Sequence, residues 1–385
     1  MSGRGRTEQI RHKVGLDIGS HTIKGVEVYD DGSEIVVRAA GSLRLTTPQF
    51  KPGSPDPSQT TQAIKELWSA SRFRTSQVTI ALPPEAVYLK WHQLDVTDQA
   101  ELEHMVNTMA PRGAPFHADE AIVDYRILNS QGGESKKTRY VIMVAAHASA
   151  VDRYLNIVEN AGLEPVAVDV GIAAAIRCLE AQERTTNPLW GRQPRSHVII
   201  GARTTTIAVV RGTALEFARS VPVGGNDFTH RIAEQASVDW PDAEKMKTNP
   251  DTMLSEDGML ATSMPNGTEI KTPVDNIVSR LAREITRSLR FFSSQYAEGS
   301  YLGMIGTISL SGGGALLRGM DSCLRQYGVE VSKLTNPFAG LSVDADGVDI
   351  QQVGDRSPAY TTAVGLATGD YSAQSRATND VGLAA

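Results

Sequence analysis

Asp17, Gly19, Ser20 and Lys24 form the first group whose types and spacing suit chemistry. They lie in residues 16–28, which run apolar, then small and polar, then apolar again. That pattern predicts two short strands joined by a tight turn. Successive N–H groups in such a turn make an anion nest, and Gly19 lets a ligand approach the main chain. Ser20 can donate to a phosphate oxygen and Lys24 supplies positive charge. Asp17 can hold Mg²⁺ directly or through water. His21 and Thr22 complete the turn. A surface hairpin with an incidental Asp-x-Gly has the same local look, so other groups must decide.

Ser311-Gly312-Gly313-Gly314-Ala315-Leu316 is the second group, between a predicted strand at 307–310 and a predicted helix at 316–327. Three glycines let a ligand lie along the backbone near a helix N-terminus. The run lacks dinucleotide-binding spacing, since Leu317 stands where the last Gly is required, and it has no Walker lysine. A plain strand–helix turn is the alternative. Glu244 and Lys247 are the third group, three residues apart on one predicted helix. They can bond a ribose hydroxyl and an adenine edge, or each other. No G-x-S-x-G or Cys/His pairing marks a nucleophile.

These groups need a scaffold. Alternation and turn residues predict strands at 14–28, 34–44, 77–82, 87–94, 121–128, 139–146, 165–170, 197–211 and 214–221. Helical spacing predicts helices at 60–71, 98–110, 149–161, 171–183, 226–236, 242–247, 275–296 and 360–368. Residues 46–58, 129–133 and 248–272 are rich in turn formers and read as loops. The polar run 184–195 is a candidate hinge.

A repeat links the two halves. Residues 16–24 lie over 198–206 without a gap, and Gly19 and Thr22 match Gly201 and Thr204. Each copy is followed by more strand and then helix. A duplicated α/β domain would aim two glycine turns into one cleft. The match also exposes a difference: Asp17 pairs with Ile199, Ser20 with Ala202 and Lys24 with Thr206.

Composition narrows the classes. The chain has 385 residues, 41% of them hydrophobic, enough for two or more domains. A net charge of -6 gives no basic face for nucleic acid. Cys178 and Cys323 are its only cysteines, so neither a disulfide framework nor a zinc site is expected. No run approaches the roughly 20 apolar residues of a membrane span, and the basic N-terminus has no apolar core of a signal peptide. A cytosolic protein is expected.

The order of these motifs resembles the actin-like ATPase superfamily. Residues 16–24 resemble its first phosphate loop and 198–206 its second. Glu244 with Lys247 and the Gly312, Gly313, Gly314 turn through Leu316 resemble its nucleoside-binding elements. The single module at 84–164 is similar to the SHS2-type insertion of FtsA and PilM. Finer matches are to the PilM family of type IV pilus assembly proteins. They include Ile23-Lys24, Val123-Asp124-Tyr125, Val223-Gly224-Gly225-Asn226, Arg290-Phe291-Phe292, Asn336-Pro337-Phe338 and Ala363-Val364-Gly365.

The resemblance implies a duplicated actin-like (ribonuclease H-like) α/β fold with an inserted α+β module. Residues 14–83 and 165–194, with helix 358–369, form the first half. Residues 195–357 form the second, with a small nucleoside-binding part at about 237–300, and 1–13 and 372–385 are disordered tails. It implies ATP or ADP held by these elements and by Gly224 and Gly225, with Mg²⁺ at Asp17. It implies a cytoplasmic scaffold recruited to the inner membrane. The docked partner is the N-terminal cytoplasmic peptide of a PilN-like membrane protein, in a groove between the first half and the insertion. The pilus platform, an ATPase ring and self-association are further implied partners. The family's second loop normally carries an Asp where Ile199 stands, which predicts slow or absent hydrolysis, or weakened Mg²⁺ dependence. An FtsA-like division protein, a type II secretion component and a small-molecule kinase of the superfamily are the alternatives. The nearly apolar-free tail at 372–385 counts against the first.

Overall fold

A computed structural model describes residues 12–30, 34–45, 56–128, 138–264, 266–295, 305, 307–344, 353–354 and 356–371. The predicted tails beyond these bounds, the turn at 129–133 and most of the loop at 46–58 lie outside them.

The first half opens with β1 (His12–Ile18), β2 (Thr22–Asp30) and β3 (Ile35–Arg44), followed by α1 (Pro57–Ser71) and β4 (Gln77–Leu82). The ordered strand begins at His12, inside the expected tail. Its ring Nδ1 lies 2.6 Å from Glu27 Oε1, and Arg38 Nη1 donates to Glu27 Oε2 at 2.8 Å. Glu27 is fully buried, so these partners offset its desolvation and hold the strand start in place. Helix α1 starts three residues before the expected Thr60. Asp56 caps it by accepting from the Gln59 N–H, and Pro57 fits the first turn, where no N–H is needed.

An inserted unit follows, with β5 (Val87–Asp95), α2 (Gln99–Met109), β6 (Ala121–Leu128) and β7 (Thr138–His147). Its sheet has the order β5-β7-β6. Leu102 and Val106 of α2 pack on one face with Val141, Met143 and Ala145. The chain then makes α3 (Ala148–Asn160), β8 (Glu164–Val170) and α4 (Gly171–Thr186). The sequence places 149–161 within the insertion and 165–170 in the first half, yet Val151, Tyr154, Ile157 and Val158 of α3 bury with Leu16, Ile64 and Ile80 of the first half. Strand β8 pairs with β4 in the large sheet. The insertion therefore packs as a unit only as far as His147. The other face of its sheet, through Ile142 and Val144, meets Ile172, Ile176 and Leu179 of α4.

The second half contains β9 (Arg195–Ile200), β10 (Thr205–Arg211), β11 (Ala214–Val221), α5 (Gly225–Ala236) and α6 (Trp240–Lys247). The expected loop at 248–272 instead forms a small antiparallel sheet of β12 (Met253–Leu254), β13 (Met259–Ser263) and β14 (Glu269–Pro273). Its buried Leu254 and Leu260 join the core of this half, and two apolar anchors are too sparse for an alternation pattern. Helix α7 (Asp275–Ser293) buries Val278, Leu281, Ile285 and Phe292. Strand β15 (Thr307–Ser311) leads into a single 3₁₀ turn at Gly313–Leu316, and α8 (Met320–Gln326) starts only after Gly319. The helix predicted from Leu316 is thus displaced, and its N-terminus does not adjoin the glycines. Strand β16 (Glu330–Leu334) closes the sheet.

The two large sheets run β3-β2-β1-β4-β8 and β11-β10-β9-β15-β16. In each, three antiparallel strands are followed by two parallel ones. The repeat read from 16–24 and 198–206 is therefore a repeat of topology. Strand β17 (Ser342–Val343) crosses back to pair with β3, and α9 (Thr361–Ala367) packs through Ala363, Val364 and Ala367 against Val26, Val28 and Cys178. After the second half the chain thus returns to the first.

Candidate functional site

The two glycine turns line one cavity of about 750 Å³. The β1–β2 turn contributes Asp17, Gly19, Ser20, His21, Thr22 and Lys24. The β9–β10 turn contributes Gly201 and Thr204. Helices α5 and α6 contribute Gly225, Glu244 and Lys247, and the 3₁₀ turn contributes Gly312, Gly313, Gly314 and Leu316. The sequence candidates thus converge, with Gly224 the exception. Its N–H donates to Asp227 Oδ2 at 2.8 Å, and a Cβ there would lie 2.6 Å from the Ala202 carbonyl oxygen. The next two N–H groups of α5 donate to the Gly201 and Ala202 carbonyls at 2.9 and 2.7 Å. The glycine pair seats the helix on the second turn, and those donors are spent.

Asp17 and Lys24 are direct cross-strand neighbours in the β1–β2 ladder. Cross-strand pairs share a face of the sheet, so their side chains meet. Lys24 Nζ donates to Asp17 Oδ2 at 3.2 Å and to the Thr22 carbonyl at 3.2 Å. In the second sheet the same register pairs Ile199 with Thr206. An ion pair in one copy is an apolar–hydroxyl pair in the other.

Glu244 is buried. Its Oε2 accepts from Thr229 Oγ1 and Lys247 Nζ, both at 2.6 Å. Lys247 also donates to the Gly225 carbonyl at 3.1 Å. Burial opposes ionisation of Glu244, but the Lys247 charge and the hydrogen bonds from Lys247 and Thr229 more than offset this, and its pKa lies below the usual range. The expected salt bridge of this pair forms, and the other carboxylate oxygen, Oε1, lies 3.6 Å from His21 Nε2.

The third glycine run divides by role. Gly312 has φ of +86°, and a Cβ there would overlap the Ile200 carbonyl. Gly314 faces the Ile200 side chain, whereas a Cβ on Gly313 would meet only Ala359, at 3.9 Å. Two of the glycines serve packing of β15 against β9, and Gly313 is the one open to a ligand.

His21 is held neutral. Burial, and then Lys247, Arg44 and Lys24, push its pKa down to about 4 against the pull of Glu244. The unfolded chain binds this proton near pH 6.5 and the folded chain refuses it. Stability is therefore full above pH 6.5 and falls as pH drops toward 4, by about 3 kcal/mol. Urea midpoints for wild type and His21→Asn should diverge across that window. Parallel profiles would refute a buried neutral imidazole.

Residues that local pattern reading passed over also reach the cavity. Arg44 stands opposite Thr22 in the β2–β3 ladder, and Arg203 occupies the second turn where His21 occupies the first. Arg318 and Arg356 lie at the rim. The gap-free repeat alignment is the signal that could have exposed Arg203. Arg44 had none, because its place depends on pairing across strands.

The cavity suits a phosphorylated ligand with a polar ring or sugar. It has a glycine-lined floor, several cations and a carboxylate at one end. The donors do not fit a divalent cation held by the protein. Asp17 is engaged by Lys24, the equivalent second-loop residue is Ile199, and Glu244 is engaged by Lys247. Among the described residues no group of three or more His, Cys, Asp or Glu side chains is placed to hold a metal ion. Among the same residues no helix is long and apolar enough to cross a membrane.

The family model for type IV pilus assembly protein PilM matches residues 15–371. Comparison with curated proteins returns no match. Among solved structures, one described as a PilM-PilN type IV pilus biogenesis complex is similar at 28% identity and a TM-score of 0.75, covering 92% of this chain and 97% of that one. Ethanolamine utilization protein EutJ from Carboxydothermus hydrogenoformans is similar at 18% identity and a TM-score of 0.53, covering 93% and 89%. The second likeness concerns the fold alone.

Proposed function

The chain belongs to the family of type IV pilus assembly protein PilM, and from that premise we propose that it is an ATP- and ADP-binding scaffold that docks a membrane partner. The observation that carries the nucleotide part is the convergence of both glycine turns, Lys24, Lys247 and Glu244 on one cavity. Phosphates lie against the first turn and Lys24. Glu244 takes a ribose hydroxyl through its cleft-facing oxygen, and the base lies toward α6 and Gly313. Ile199 can neither order a metal nor polarise an attacking water, so hydrolysis is slow or absent. Calorimetric titration with ATP followed by phosphate-release assays tests this. Several turnovers per minute would sink the slow-hydrolysis part, and no heat would sink the nucleotide part.

The partner is the N-terminal peptide of a PilN-like inner-membrane protein, recruiting this chain to the membrane and linking it to the pilus platform and ATPase ring. A shallow apolar groove supports the site. It is lined by Leu82, Val87, Ile122, Val144, Val151 and Val168, between the first half and the insertion. Strands β8 and β6, which border it, are both sheet edges, and Ile122 and Val166 are exposed. An extended apolar peptide can add to such an edge and fill the groove with alternate side chains. Ile122→Asp should weaken capture of that peptide at least about tenfold, since a charge must be desolvated in the groove. Fluorescence anisotropy with the labelled peptide would read the loss, and unchanged binding places the peptide elsewhere.

A further inference from the structure

We propose that the cleft takes its nucleotide as a metal-free polyanion, with Arg203 of the second turn and Arg44 of the first sheet supplying the positive charge a divalent cation would otherwise bring. The inference rests on the nucleotide reading above and specifies the charge state of the ligand.

The first support is the missing ligand set. Mg²⁺ in phosphate sites is held by one or two carboxylates together with the phosphates. Asp17 lies 3.2 Å from Lys24 Nζ, an ion pair built into the strand register. Glu244 is fastened to Lys247 and Thr229. The position that mirrors Asp17 is Ile199, which lines the cavity and offers no oxygen.

The second support is what the second turn contains instead. The copy that loses Asp, Ser and Lys at positions 199, 202 and 206 gains a guanidinium at 203. Arg203 is half-buried in the two-residue bend between β9 and β10 and lines the cavity. Arg44 lies at the end of β3, across from Thr22 of the first turn. It is near enough to both His21 and Lys247 to disfavour their protonation. One guanidinium thus flanks each turn. Guanidinium is the side chain best matched to phosphate, through paired parallel N–H donors.

The test is calorimetric titration of ATP into the full chain in Mg²⁺ buffer and in EDTA. Wild-type affinity should agree in the two within about threefold. Arg203→Ala should weaken binding about tenfold in EDTA and less in Mg²⁺, and Arg203→Lys should recover part of the loss. Matching thermal midpoints would show that both variants fold. Tight binding in Mg²⁺ that collapses in EDTA would overturn the inference and leave the nucleotide reading standing. Arg203→Ala equal to wild type in EDTA would also overturn it. No binding in either buffer would overturn both.

Discussion

Lys24→Ala should lower affinity for ATP by about tenfold to a hundredfold, corresponding to the loss of a charge-assisted contact of about 1.5–3 kcal/mol. Lys24 is largely shielded from solvent, its side chain 13% exposed, and its ammonium is shared between Asp17 and the Thr22 carbonyl. Removing it has two consequences. The phosphate chain loses a cation at the first turn. The Asp17 carboxylate, only 21% exposed, is left facing the same space and repels the incoming phosphates. The double variant Asp17→Asn/Lys24→Ala should therefore bind better than Lys24→Ala alone, because the repulsion is gone. Calorimetric titration reads both. Affinity unchanged in Lys24→Ala would refute the role given to the first turn.

Gly365→Val should destabilise the protein by about 3 kcal/mol or more, among the larger costs of a single substitution. Helix α9 lies so close to α4 that a Cβ on Gly365 would overlap the Ala174 carbonyl oxygen. On its other side, a Cβ on Gly15 of β1 would overlap the Ala363 carbonyl oxygen. Three backbones meet there without intervening side chains. Backbone cannot step aside as a flexible side chain can, so α9 must lift away. That would uncover Ala363, Val364 and Leu366, all nearly fully buried. Gly162→Ala is the comparison: open space surrounds that Cβ, and only its φ of +84° opposes the change, at about 1 kcal/mol. Urea unfolding separates the two, and equal midpoints would contradict the close packing.

Strands β1, β2, β9 and β10 were legible because their alternation and their Gly-containing turns are local. The same holds for the helix expected at 98–110, which begins where Asp98 caps α2 by accepting from the Glu101 N–H. The substitution of Ile199 for an acid was legible because the repeat supplied its own comparison, and the matching ladders place Asp17 and Ile199 at equivalent positions. Helix α3 was misplaced for a physical reason. Its apolar face at Val151, Tyr154, Ile157 and Val158 declares that it packs but not on what. The partners Leu16 and Ile64 lie far away in sequence. Gly224 and Gly225 carried the opposite ambiguity. A glycine pair before a helix suits both an anion and a neighbouring backbone, and the Gly201 and Ala202 carbonyls took the donors.

The β1–β2 hairpin shows the division most directly. Residues 16–24 by themselves determined the strands, the turn and the chemistry on offer, since each follows from residue types within a few positions. Tertiary structure decided how that chemistry is used. It brought Arg44 from β3, Glu244 and Lys247 from α6 and Arg203 from the mirrored turn to one cavity. It also left Ile199 where the second carboxylate would stand. Backbone preference acts between neighbours, whereas the charge on a cleft sums over chains that meet only when the sheets pair and the halves close. A run that reads locally as a phosphate loop thus shares its cavity with lysine and arginine side chains that no local pattern announces.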